Sequence, residues 1–344
     1  VVVLLKIPGW LSALAGLAAL FSGGHALACK VAIVGEIPVA IDHGRAVIDG
    51  EINGRQVRMA VDTGSTSTVL LRASASRLGL FAAPVESLKF YAIGADPTAE
   101  YVHLDRLHVG KLIARNLDWV LAGELDRPGG VDGLLGADFF TQTNADVEFD
   151  LPHHVIRLLS PTLCFGDEVV YWGGAVSMTP LLAAIDGAPE FLTKATIEGV
   201  PLEVLLDSGV DTTLTGQGAR KLGLRLPDRN TSGATAGNTE TPSMVQVRFG
   251  DLTLDREVIH NPVLKAADVF GAGGSSSRGA RISSGTEGPP DLLLGADFLL
   301  THRLYVARSQ ERIYITYAGG SLLNGPPSWD GRRMVGTPGP ATPP

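Results

Sequence analysis

Two aspartates, Asp62 and Asp207, stand 145 residues apart in matching phrases. The first phrase is Val61-Asp62-Thr63-Gly64-Ser65-Thr66 after Met59-Ala60; the second is Leu206-Asp207-Ser208-Gly209-Val210-Asp211 after Val204-Leu205. In each, an apolar run delivers a carboxylate onto a turn built from a small hydroxyl residue and a glycine. Two carboxylates held close together cannot both ionise easily, so one gives up its proton readily and the other keeps it. Such a pair offers a base and an acid at one place, which is what splitting an amide bond with water requires. Thr63 and Ser208 suit packed positions from which a hydroxyl reaches the backbone of the opposite half. Gly64 and Gly209 let the backbone come near a carboxylate and point an N–H at it. Ser65 has a hydroxyl to offer Asp62, whereas Val210 has none for Asp207, so the shared proton is expected to rest on Asp207.

Each turn is followed at a distance by a second phrase. These are Gly133-Leu134-Leu135-Gly136-Ala137-Asp138-Phe139 and Leu292-Leu293-Leu294-Gly295-Ala296-Asp297-Phe298. Bulky apolar residues ending in Gly predict a buried strand threading beside the turn, with the glycine giving clearance. Asp138 and Asp297 then sit where a helix cap is expected, in a structural role.

The elements that must position these groups also recur. Ala46 to Val57 and Leu192 to Leu202 each read as strand, tight turn and strand, with the turns at Asn53-Gly54 and Glu198-Gly199. The second strand of each hairpin delivers the aspartate. A short helix is expected after each turn, stopping at Arg77-Leu78-Gly79-Leu80 and Lys221-Leu222-Gly223-Leu224. The offset between halves is 144 residues at these glycines and 159 at the second phrases. The second half therefore carries an insertion, assigned to 271–290, where Gly, Ser and Pro dominate and a mobile surface loop is expected.

Composition narrows the class. With 42 glycines in 344 residues the chain is expected to be turn-rich and mainly β, in about two domains. A net charge of −8 argues against nucleic acid as a partner. Residues 1–28 read as an export signal: Lys6, an apolar run from Leu11 to Phe21, then Ala26-Leu27-Ala28 before a cleavage point. An exported protein, periplasmic, envelope-associated or secreted, is expected. Cleavage there makes Cys29 the first mature residue, with three readings open: a lipid anchor, a bridge to Cys164, or two unpaired thiols. Neither the histidines nor Ser65 have partners at the spacing that a metal peptidase or a serine hydrolase needs.

Two Asp-Thr/Ser-Gly turns, each followed by Leu-Leu-Gly-Ala-Asp-Phe, make the chain resemble an aspartic peptidase. Within that group it is similar to bacterial retropepsin-like proteins with two halves in tandem. The resemblance implies a two-lobed acid-protease fold from a tandem duplication, with a cleft between the lobes. The lobes fall at 29–160 and 175–324, with a junction at 161–174, and the Pro- and Gly-rich 325–344, without periodicity, is expected to be a disordered tail. The resemblance implies Asp62 and Asp207 as the catalytic pair, supported by Thr63, Gly64, Ser65, Ser208 and Gly209. Flap residues Tyr91, Gly94 and Gly237 would meet a peptide or protein substrate. No metal or organic cofactor is called for, and one chain would suffice, as a monomer with an internal pseudo-twofold. A peptide-binding envelope protein using the same cleft is the other reading, and a dimer pairing each half with another chain is a third.

Overall fold

The computed structural model describes residues 29–84, 100–122, 130–142, 145–184, 187–227, 243–270, 288–321 and 323. The segment 1–28 expected to be an export signal, the expected flap residues Tyr91, Gly94 and Gly237, most of the expected loop 271–290 and the expected tail 325–344 lie outside the described residues.

The hairpins form as their turn residues dictate. Asn53 and Gly54 have φ of 49° and 80°, and Glu198 and Gly199 have 51° and 80°. Two successive positive φ values give a turn whose twist matches the strands it joins. Arg45–Ile52 therefore pairs antiparallel with Arg55–Val61, and Leu192–Ile197 with Val200–Asp207, in matching register: Val47 faces Ala60 and Leu192 faces Leu205. Along Arg55–Val61 the residues Val57, Met59 and Val61 are buried, the period-two pattern of a strand with one face on the core. Val200–Asp207 is buried on both faces from Val204 onward. On its second face Leu205 lies between its cross-strand neighbours Leu192 and Leu293, and the partly buried Leu182, Ala184, Val210, Val269 and Phe270 pack against the three.

Both lobes then repeat one pattern of pairings. In the first, Gly133–Leu135 runs parallel to Arg55–Val61 and antiparallel to Val69–Leu71, which runs parallel to Leu112–Ala122. In the second, Leu292–Gly295 runs parallel to Val200–Asp207 and antiparallel to Thr213–Thr215, which runs parallel to Val263–Ala267. The first sheet curls on itself, because Arg45–Ile52 also pairs with Glu100–Val109. The helices Arg72–Leu78 and Gly216–Lys221 stop as expected, with Gly79 and Gly223 at φ 69° and 71°. Mainly β and two-lobed, this is the fold the sequence implied.

A third sheet of six strands joins the lobes. Its order is Lys30–Pro38, Val155–Thr162, Asp146–Asp150, His302–Ala307, Arg312–Tyr317 and Ser177–Pro180. The pairings of Val147 with Val306 and of Phe149 with Leu304 stitch the halves together. Asp146, Glu148 and Asp150 are buried in this sheet. Glu148 takes hydrogen bonds from Arg157, Arg303 and Tyr171, and Arg157 also reaches Asp150 at 3.2 Å. Buried charges are tolerated when paired and hydrogen-bonded in this way. At the sheet's edge Cys29 and Cys164 form a disulfide, so of the three readings of Cys29 the structure has the bridge, and no thiol remains there for a lipid anchor.

Candidate active site

The two aspartate turns meet back to back where the lobes join, and the small hydroxyl residues lock them. Thr63 donates from Oγ1 to the Leu206 carbonyl at 2.7 Å and accepts from the Ser208 N–H at 3.0 Å. Ser208 returns both bonds, donating from Oγ to the Val61 carbonyl at 2.8 Å and accepting from the Thr63 N–H at 3.0 Å. Both side chains are buried. Each hydroxyl thus satisfies one backbone donor and one acceptor of the opposite half that water does not reach, which is the role expected of them.

The glycines act across the interface more than within their own turn. A Cβ on Gly64 would lie 2.2 Å from Cγ of Asp207, and one on Gly209 would lie 2.4 Å from Oδ1 of Asp62. Each glycine makes room for the other half's carboxylate. The expected N–H to carboxylate contact is present in the second half, where Gly209 N–H donates to Asp207 Oδ1 at 3.0 Å.

The threading strands pin both turns from behind. The Asp62 N–H donates to the Leu135 carbonyl at 2.9 Å, and the Ala137 and Ala296 N–H groups donate to the Ser65 and Val210 carbonyls at 2.8 Å. A Cβ on Gly136 would meet the Ser67 backbone at 2.6 Å and one on Gly295 the Asp211 backbone at 2.3 Å, so these glycines do supply clearance. Asp138 and Asp297 correct an expectation. The cap positions are Gly136 and Gly295, and each aspartate is the second helical residue. Asp138 Oδ1 accepts from Thr68 Oγ1 at 2.7 Å and Asp297 Oδ1 from Thr212 Oγ1 at 2.6 Å, tying helix to turn. Their role is structural, as read.

The two carboxylates are unequal. Asp62 is half-buried, whereas Asp207 is 5% exposed. Burial, and then the charge on Asp62 beside it, push the Asp207 carboxyl well above the usual carboxylate range; the Gly209 N–H opposes this and does not prevail. Burial thus favours the protonated form of Asp207, a cause different from the one read in the sequence. Ser65 donates its hydroxyl proton to the Ser67 carbonyl at 2.8 Å, so it has none for Asp62. The largest cause acting on Asp207 is burial.

Sequence reasoning passed over a charged trio beside the second turn. Arg45, at the start of the first hairpin, donates from Nη1 to Asp211 Oδ1 at 2.7 Å across the halves, and Lys265 donates to Asp211 Oδ2. Burial acts to raise the Asp211 pKa, but the bonds from Lys265 and Arg45 outweigh it and hold the group below its ordinary value. The signal was available: Asp211 stands where the first phrase has Thr66.

Comparison with known proteins bears on both halves. Residues 48–142 match the family described as gag-polyprotein putative aspartyl protease, and residues 193–298 match the family described as aspartyl protease. Among solved structures, an aspartic proteinase from Irpex lacteus is similar at 15% identity and a TM-score of 0.47, covering 84% of this chain and 97% of its own. A retropepsin-like aspartic protease from Rickettsia conorii is similar at 21% identity and a TM-score of 0.27, covering 39% of this chain and 96% of its own. No curated protein matches the sequence at a significant level.

Proposed function

We propose that this chain, which belongs to the aspartyl proteases with one domain of that family in each half, is an endopeptidase whose site is the pair Asp62 and Asp207. The observation that carries this reading is the reciprocal interlock of Thr63 and Ser208, which fixes two carboxylate turns against each other with glycines cleared for the opposite aspartate. Asp62, the charged and more accessible partner, takes a proton from a water held between the two groups. That water attacks the peptide carbonyl directly. Asp207, which holds its proton, gives it to the carbonyl oxygen as the tetrahedral species forms, so charge is neutralised where it develops. On collapse of that gem-diol the C–N bond breaks as Asp62 gives its proton to the departing amine and one of the two hydroxyls returns a proton to Asp207, which restores the pair without a covalent enzyme intermediate.

The remaining parts of the proposal follow. One chain holds both carboxylates, so a monomer is sufficient. The Cys29–Cys164 bridge fits an oxidising compartment and supports export. The test is to incubate the protein with denatured proteins and a peptide library from about pH 3 to about pH 7, the range in which such a dyad works, and to identify new termini by mass spectrometry. Cleavage that disappears in Asp62→Asn and Asp207→Asn is the expected result. Peptides retained but never cut would favour the binding-protein reading.

A further inference from the structure

The matched positions around the two turns differ in charge. Counting back from the paired residues Val47–Ala60 and Leu192–Leu205, Arg45 corresponds to Glu190. Asp211 corresponds to Thr66 by its place after the turn. Lys265 lies opposite Thr213, and by the same count Trp119 takes that place in the first lobe. The second turn is thus flanked by Arg45, Asp211 and Lys265, a cluster with one net positive charge. The matched positions for the first turn are Glu190, Thr66 and Trp119, of which Glu190 and Trp119 are buried.

Arg45, Asp211 and Lys265 each keep about a third of their side chain accessible, at 33%, 30% and 33%. Asp211 is four residues past Asp207 on the same turn, and the Arg45 charge is felt at Asp207. Four residues of chain bound the distance from Asp207 to Asp211, and an extended peptide advances about 3.3 Å per residue, so the cluster lies within about four residues' length of the dyad. One carboxylate shared by two cations leaves donor capacity on both, since Lys carries three N–H donors and Arg five. A second carboxylate is the group that this arrangement can take without leaving a charge unpaired.

We infer that Arg45 and Lys265 form a specificity subsite on the second-half side of the dyad that selects a substrate carboxylate, an Asp or Glu side chain within a few residues of the scissile bond. This rests on the endopeptidase reading above. Because the cations are partly exposed, the preference is modest and weakens with salt.

The experiment uses the full chain and a peptide series in which each position around one scissile bond carries Glu, Gln or Lys in turn. The expected result is one position where kcat/KM falls in the order Glu, Gln, Lys, with Glu over Gln by roughly fivefold. The ratio should collapse toward one in Lys265→Gln, persist in Lys265→Arg and shrink at high salt. Reading a ratio within each variant removes any general loss of activity. Peptides with free and amidated C-termini separate a side-chain carboxylate from a terminal one; a preference that follows only the free terminus overturns the side-chain assignment. Absence of any Glu-preferring position, or a ratio unchanged in Lys265→Gln, overturns the subsite. If no peptide is cut, the endopeptidase reading fails by itself, and the same Glu-to-Gln ratio is then read in binding affinity by calorimetry.

Discussion

The two halves use one local plan to opposite electrostatic ends. Each delivers an aspartate at the end of a hairpin strand, locks it with one hydroxyl and clears it with one glycine. Yet Asp207 is buried and its carboxyl is pushed toward the protonated form, whereas Asp62 is more open. The second turn is also joined by the Arg45–Asp211–Lys265 cluster, with Thr66 standing in the first phrase where Asp211 stands in the second. Repetition of the backbone therefore fixes where two carboxylates meet, and on the reading proposed above departures from repetition decide which serves as acid and which as base.

The first way to break this comparison is through the glycines. Gly64→Ala and Gly209→Ala each put a methyl group inside contact distance of the opposite carboxylate, so both should lower kcat by roughly a hundredfold or more, the scale of a displaced catalytic group. Peptide turnover in folded variants measures it. If one substitution is harmless, the cross-interface clearance holds for one half only.

Next comes the interlock. Thr63→Ala strands the Leu206 carbonyl and the Ser208 N–H; Ser208→Ala strands the Val61 carbonyl and the Thr63 N–H. Each should cost about 2–4 kcal/mol, and the two costs should be similar, because two buried backbone groups are left unsatisfied in either case. Thr63→Ser should recover most of it. Urea unfolding of the three variants checks both the size and the equality.

The unequal burial of the aspartates gives a smaller effect with a definite sign. Because the folded-state pKa of Asp207 is raised, the folded protein binds more protons than the unfolded chain at pH values between the ordinary and the raised value. Stability is then lost as pH rises through that window. Asp207→Asn removes the ionisation, so the variant should gain on the wild type by about 1 kcal/mol or more toward the upper end of the window and show little difference near its lower end. Thermal melts of both proteins across pH check it. Smallest of all is Ser65→Ala. Its hydroxyl serves Ser67, so the acid limb of the pH–rate profile should move by less than about half a unit.

What could be read from the sequence follows from where the rules are local. Asn53-Gly54, the Gly79 and Gly223 stops and the two Leu-Leu-Gly strands obey turn, cap and clearance requirements that act within a few residues, so they were legible. The six-stranded sheet was not. Its strand Asp146–Asp150 reads Asp-Val-Glu-Phe-Asp, with a charge at every second residue, and all five are buried. Alternation of that kind points to a strand with one face in water. Partners such as Arg157, Arg303 and Tyr171 on Glu148, and Tyr305 and Ser309 on Asp146, make the polar face an interior one, and their convergence is a property of the fold. The same holds for Ser65, whose partner was decided by the path of the backbone at Ser67, and for Arg45, which meets Asp211 from the other half.

The central claim is that the two halves form one catalytic unit with a single shared proton. It is tested most directly by kcat for Asp62→Asn, Asp207→Asn and the double variant, on one peptide and in folded protein. Each single change should lower kcat by roughly a thousandfold or more, and the double change should be no worse than either, since groups that act as a unit do not contribute independently. Near-wild-type turnover in either single variant, or losses that multiply in the double variant, would contradict a shared site.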